Sequence, residues 1–272
     1  MSAARAEPHV ASAEVRSRWW RQLPSRVWTF WMVELYRIRH DRTELYTRAI
    51  QPALWLVIFG ETFTRLRAIP TGGLPYLDYM APGIIAQSGL FIAIFYGIQI
   101  IWERDAGVLA KLLATPTPRV ALVSGKAFAA GLRAAIQSVI VFALSAMLGV
   151  SIDWNPLHLV AAVLVVMVGS AFFSTLSMTI AGVVLSRERL MGIGQALTMP
   201  LFFASNALYP VRVMPGWLQA LSVVNPLSYE VEALRGILVG TPADLALDAL
   251  VLVSALAAGV MASSALLARL AR

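Results

Sequence analysis

Residues 157–185 read LHLVAAVLVVMVGSAFFSTLSMTIAGVVL, 29 positions without one Lys, Arg, Asp or Glu. A helix of about 20 apolar residues already crosses the roughly 30 Å hydrocarbon core of a bilayer. A helix apolar all round has no face to offer water, so this stretch belongs in lipid or deep inside a membrane bundle. The composition of the whole chain agrees. Of 272 residues, 58% are hydrophobic and 14% charged, against roughly 25% charged in soluble domains.

Working outward, Ala49–Leu66, Met80–Trp102 and Ala127–Val150 precede this run, while Met191–Tyr209 and Leu247–Leu267 follow it. Together they predict an all-α, polytopic membrane protein with six transmembrane helices. Residues 1–25 form a polar, Arg-bearing tail with no apolar core, unlike a secretory signal. Residues 26–268 read as a single transmembrane domain, with 269–272 as a C-terminal tail. In Val27–Thr47, Trp28, Trp31, Leu35 and Ile38 recur at helical spacing among Arg37, Arg39, Asp41 and Arg42. That pattern suits an amphipathic interface helix, and equally a helix packed against protein.

The 22 Lys and Arg exceed the 15 Asp and Glu. No basic stripe interleaved with aromatics stands out, so no nucleic-acid partner is expected; basic residues instead mark cytoplasmic loops. With six spans and both termini cytoplasmic, 17 Lys and Arg fall inside, four (Arg65, Arg67, Arg212, Arg235) fall outside and Arg133 lies within a span. This bias predicts both termini in the cytoplasm.

Two segments are neither spans nor simple turns. Residues 103–115 (ERDAGVLAKLLAT) place Val108, Leu109, Leu112 and Leu113 on one apolar face, with Arg104, Asp105 and Lys111 opposite and Pro116 ending the helix. The face can lie on the membrane surface or be received by another protein. Residues 212–240 form an external helical hairpin in which Trp217, Leu218, Leu221 and Val224 repeat with helical period. Asn225-Pro226 then breaks the chain, and a second helix carries Tyr229, Glu230, Glu232 and Arg235. Both helices are expected to lie half-buried at the outer leaflet, where they could close an exit path.

No catalytic constellation is present. His9, His40 and His158 lack the spacing of a zinc helix, and the chain has no cysteine. Gly125-Lys126 is followed by Ala127 and preceded five residues earlier by Val120, so it fails as a phosphate-binding P-loop. The chain is therefore not expected to be an enzyme or to carry a cofactor or metal. Polar residues within the spans are the candidates for a translocation path. Glu61, one turn before Arg65, either pairs with it at the interface or contacts substrate. Arg133 reaches the inner headgroups or lines a polar cavity. Gln87, Gln99, Gln137, Gln195 and Asn206 are expected to bond neighbouring helices, with Gln87 and Asn206 also candidates for the path. Ala127, Gly131 and Ala135 permit close helix approach.

Three stretches in this order resemble the permease subunits of type-2 ABC exporters, a group that includes drug-resistance, nodulation-factor and polysaccharide export permeases. They are Tyr79-Met80-Ala81-Pro82-Gly83; Glu103-Arg104-Asp105-Ala106-Gly107-Val108-Leu109 with Leu112-Leu113-Ala114-Thr115-Pro116 and Gly125-Lys126; and Met214-Pro215-Gly216-Trp217-Leu218 with Asn225-Pro226-Leu227-Ser228-Tyr229 and Leu234-Arg235. The sequence departs from the pattern at Asp105, Val108 and Ala110. The resemblance implies a pair of identical permeases in a bacterial inner membrane, with two cytoplasmic ATPases holding ATP and Mg. It also implies coupling through Glu103, Arg104, Gly107, Val108, Leu109, Leu112 and Leu113, seated in a groove of each ATPase. The outer hairpin would guard the exit, and the substrate would be drug-like, lipidic or a lipid-linked glycan. The competing reading is an ion-coupled secondary carrier of amphiphiles, disfavoured by the lack of mid-membrane acids and of a detectable inverted repeat.

Overall fold

The computed structural model describes Met32 and residues 42–66, 69–114 and 118–270. Most of the amphipathic segment at Val27–Thr47 lies outside the described residues, as do the 1–25 tail and Thr115–Thr117. Among the described residues every regular element is helical.

The chain enters through α1 (Arg42–Leu54), which passes without a break into a π-helical turn, Trp55–Gly60, and then α2 (Glu61–Leu66). Pro52 lies inside α1 and supplies no N–H to the helical ladder, and the widened turn follows it directly. Next come α3 (Tyr76–Asp105), the short α4 (Val108–Ala114), α5 (Arg119–Met147) and α6 (Pro156–Val184). The order closes with α7 (Arg187–Phe203), a 3-10 turn at Val211–Val213, α8 (Gly216–Val224), α9 (Pro226–Val239) and α10 (Leu245–Leu270).

Among the described residues, four helices are long and apolar enough to cross a membrane: α3, α5, α6 and the 245–267 part of α10. The first stretch expected to span lies in the continuous helical run over residues 42–66, which widens to π pitch at Trp55–Gly60. The fifth is not helical up to Tyr209. It stops at Phe203, giving a helix of 17 residues with Pro200 inside its last turn, or about 25 Å at 1.5 Å per residue. The following residues, Ala204–Leu208, form a buried non-helical segment.

α6 is the hub. It packs against α3, α5, α9 and α10, and it has the sequence for this. Asn155 caps its N-terminus by accepting a hydrogen bond from the Leu157 N–H at 3.0 Å, with Pro156 in the first helical position. The helices around it approach through small residues. A Cβ on Gly131 of α5 would stand 2.7 Å from the Met167 carbonyl oxygen, so backbone meets backbone there. Ser177 donates its hydroxyl to the Ile94 carbonyl at 2.8 Å, opposite Gly97 of α3. Without a hydrophobic drive between helices in lipid, such close packing and interhelical hydrogen bonding hold a bundle together.

Candidate functional site

At one end of the bundle, α9 is built like α6. Asn225 accepts from the Leu227 N–H at 3.1 Å and Pro226 opens the helix. Gly240, at φ +77°, closes it in the left-handed conformation that glycine adopts without strain. This second hairpin helix is not half-buried. Leu227, Ser228, Glu230, Val231, Ala233, Leu234, Arg235, Ile237 and Leu238 are all buried, and the helix packs between α3, α6 and α10. Only α8 fits the expectation of a partly exposed outer helix, with Trp217 68% exposed. Period and charge on α9 suggested a wet face because its polar residues have distant partners. Arg235 donates through Nε to the Tyr79 carbonyl at 3.2 Å and through Nη2 to the Asn206 carbonyl at 2.8 Å. Its guanidinium lies 3.8 Å from the centroid of the Tyr79 ring. The Tyr79 hydroxyl donates to the same Asn206 carbonyl at 3.0 Å. Asn225 donates to the Leu201 carbonyl at 2.7 Å, and Tyr229 donates to that of Val223 at 2.8 Å. The Arg235 contacts latch the hairpin onto the start of α3 and the 204–208 segment, Asn225 ties it to α7, and Tyr229 joins its two helices.

Glu230 is fully enclosed, pressed against Gly169 of α6, where no side chain larger than hydrogen would fit. Neither of its carboxyl oxygens has a hydrogen-bond partner among the described residues. The loop between α5 and α6 holds a second acid in the opposite setting. Asp153 accepts from the Asn155 N–H at 2.9 Å and meets His158 Nδ1 at 2.5 Å. The backbone bond first, then the histidine, holds its carboxyl below the usual carboxylate range.

At the opposite end, α3 runs on through Glu103, Arg104 and Asp105, and the chain turns at Gly107, φ +70°, into α4. Glu103 pairs with Lys126 of α5 at 2.5 Å, side chains 20% and 14% exposed. Arg104 bridges Asp105 at 2.8 Å and donates to the Leu185 carbonyl at 2.8 Å, tying the end of α3 to the end of α6. Arg187 lies 4.6 Å over the Trp102 ring. The apolar face read from the sequence is split. Leu109 is 1% exposed and packs with Ile100, Ile101, Leu122 and Val123. Leu112 and Leu113 are partly buried against the same cluster, and Val108 is exposed. This chain thus receives Leu109 itself. The tight Ala106-Gly107 turn folds α4 back on its own bundle, which spacing alone did not reveal.

Between these ends lie two cavities that meet at Ile92 and Phe95. The first, about 370 Å³, is lined by Thr47, Gln51, Gln87, Ser88, Phe91 and Gln137, among others. The second, about 300 Å³, holds Tyr96, Gln99, Trp102, Arg133 and Met191. Arg133 sits 5.2 Å over the Tyr96 ring. Of the candidate path residues, Gln87 and Arg133 thus line adjoining cavities. Asn206 belongs to the latch and Glu61 stands apart, exposed and 3.8 Å from Arg65. Gln51 was missed as a site residue, and Gln137 was noted only as a helix-bonding group; spacing on one helix carries no signal of what the next helix presents. Among the described residues no group of three or more acids, histidines or cysteines is placed to hold a metal.

Among the described residues the chain is thus a helical bundle with four helices long and apolar enough to cross a membrane, a latched hairpin at one end and a short amphipathic helix at the other. Residues 25–239 match the ABC-2 type transporter family, and the chain belongs to it. It is a multi-pass membrane protein of the ABC transporter permease class. Among curated relatives, a protein named as a transport permease, ycf38, of Porphyra purpurea is 32% identical over 68% of this chain and 64% of its own length. The daunorubicin resistance ABC transporter permease protein DrrB1 of Streptomyces coeruleorubidus is 27% identical over 75% of this chain and 71% of its own. Nodulation protein J of Rhizobium meliloti (strain 1021) is 26% identical over 62% and 64%. The chain thus spans somewhat less than two thirds of the length of two of these three.

Proposed function

We propose that this chain is the translocation subunit of an ATP-driven exporter in a bacterial inner membrane. Residues 26–268 form one six-span domain with both termini cytoplasmic. Two copies pair, and two separate ATPases bind beneath them, holding ATP and Mg that this chain does not bind. The Glu103–Ala114 segment is the coupling element, and the Arg235 latch steadies the hairpin that closes the exit. Drug-like, lipidic and lipid-linked glycan substrates suit the aromatic and amide-bearing cavities, and the drug-resistance relative favours a small amphiphile.

The observation that carries this reading is α4. Leu109 anchors it to the bundle while Val108 stays exposed and Leu112 and Leu113 are half covered. A rigidly held apolar ridge at the end of a bundle can pass movement of a bound partner into α3 and α5, to which Glu103 and Lys126 are joined. The test is co-purification with a co-expressed ABC ATPase subunit. Leu112→Asp with Leu113→Asp is expected to lose the ATPase and export while still inserting in the membrane. Retained capture and export would remove α4 from the coupling role.

A further inference from the structure

The first cavity combines features that a packing defect does not. Gln87 of α3 is 2% exposed and Gln137 of α5 is 0% exposed, and both line it. Gln87 Nε2 and both amide atoms of Gln137 have no hydrogen-bond partner among the described residues. Buried polar groups are nearly always paired, and leaving several together in one place is costly. Three carboxamides converge there, since Gln51 of α1 joins the lining. Among the described residues no side chain lining this first cavity is charged, so the amides are the polar groups that a ligand head meets there. Phe91 and Phe95 supply aromatic faces beside the amides. Past Ile92 and Phe95 the second cavity continues along Ile98, Trp102 and Met191, with Gln99 and Arg133, the latter over the Tyr96 ring, as its polar side.

We infer that the groove between α1, α3 and α5 binds an uncharged amphiphile whose head presents hydroxyl, carbonyl or amide groups to Gln87 and Gln137. The head, about the size of one sugar ring, lies against Phe91 and Phe95 with an apolar tail running past Ile92. A carboxamide both donates and accepts, so it suits a head with mixed hydroxyl and carbonyl groups. A cationic head is disfavoured because the described lining holds no carboxylate. This narrows the substrate class of the proposed exporter and rests on that reading.

The chain has no cysteine, so Ser88→Cys, a near-isosteric change in the lining, gives one thiol in the groove. The full chain in phosphatidylcholine nanodiscs is treated with a methanethiosulfonate reagent, alone and with octyl glucoside, octyl sulfate or octyltrimethylammonium. The glucoside should slow labelling about tenfold near saturation, the two ions much less at equal membrane occupancy, and Gln137→Leu should remove the protection. Gln137→Leu should also raise the melting temperature, by about 2–4 °C, because a strained apo site loses its unpaired amide. A structural hydrogen-bonding glutamine would give a fall instead. Equal protection by all three heads, protection that survives Gln137→Leu, or a lowered melting temperature overturns the site. Disulfide cross-linking of the introduced thiol to that of a second copy, without protection by the glucoside, overturns it too, making this face an interface between copies. ATPase co-purification is scored on the same preparations. If it is intact while the glucoside fails, the site is wrong and the exporter reading stands; if it is absent from the parent chain, the exporter reading fails whatever the glucoside does.

Discussion

Arg235→Met is the perturbation that weighs the latch. The guanidinium is 6% exposed and donates to the carbonyls of Tyr79 and Asn206 at 3.2 and 2.8 Å while lying on the Tyr79 ring. Hydrogen bonds from a charged donor contribute about 1.5–3 kcal/mol each, and a desolvated cation over an aromatic ring about 2 kcal/mol. Two offsets reduce the sum. Methionine restores apolar packing along the stem, and the Tyr79 hydroxyl still serves the Asn206 carbonyl. Burying a guanidinium is itself costly, so removing it recovers part of that penalty. A net loss of about 3–4 kcal/mol remains, which lowers the melting temperature by roughly 6–16 °C at about 2–4 °C per kcal/mol. Arg235→Lys keeps a charge over the ring but loses the planar fork, and should fall between. Reversible unfolding in mixed micelles, followed by tryptophan emission, reads all three. A methionine variant within about 0.5 kcal/mol of the parent would refute the reasoning, since that is the behaviour of a surface charge.

Leu109→Asp should behave unlike the Leu112 and Leu113 variants: it places a charge in a cluster where the leucine is 1% exposed, and is expected to cut the yield of folded protein by size-exclusion chromatography before any partner is tested. Gly169→Ala should destabilise by about 1–3 kcal/mol, because the added methyl meets the enclosed Glu230 carboxyl, and Glu230→Ala introduced with it should recover much of the loss in the same unfolding assay. Asp153, held low by Asn155 and His158, contributes stability above the ordinary aspartate range that is lost as pH falls through its lowered value; Asp153→Asn should flatten the acid side of the stability curve. For orientation, single cysteines at Pro70 and Pro242 should react with an impermeant thiol reagent on intact cells, and those at Lys111 and Arg189 only after permeabilisation; the reverse pattern would invert the topology.

The long uncharged run that became α6 was legible because a 29-residue helix without charge has one solvent open to it. The short helix after Gly107 and the Asn225-Pro226 break were legible for a similar reason: Pro, Gly and Asn act locally, so their positions mark helix ends without tertiary knowledge. What escaped the reading depends on partners far away in the chain. Glu230 and Arg235 look like the polar side of a surface helix until Gly169 and Tyr79 are placed beside them, 61 and 156 positions earlier. Likewise the apolar face of α4 could not disclose that Leu109 turns inward, since that follows from the Gly107 turn and the position of Leu122. The end of α7 at Phe203 is accompanied by the tyrosine hydroxyls of α3, which give the Asn206 and Leu208 carbonyls of the buried 204–208 segment the hydrogen bonds a helix would otherwise supply.

The π turn at Trp55–Gly60 makes the first helix a crank. A π turn carries one residue more than an α turn, and one residue is worth about 100° of rotation and 1.5 Å of rise. Trp55, Phe59, Phe63 and Tyr76 form a ladder of rings at 4.3, 6.1 and 5.4 Å, with Trp55 also edge-on to Phe202 of α7 at 5.6 Å. Tightening the wide turn to ordinary pitch would swing Phe63 about a quarter-turn away from Tyr76 and unstack the ladder, while Gln51, on the near side of the turn, would keep its place beside the groove. Movement at the Tyr76 end and movement at the groove end are geared separately through this one turn.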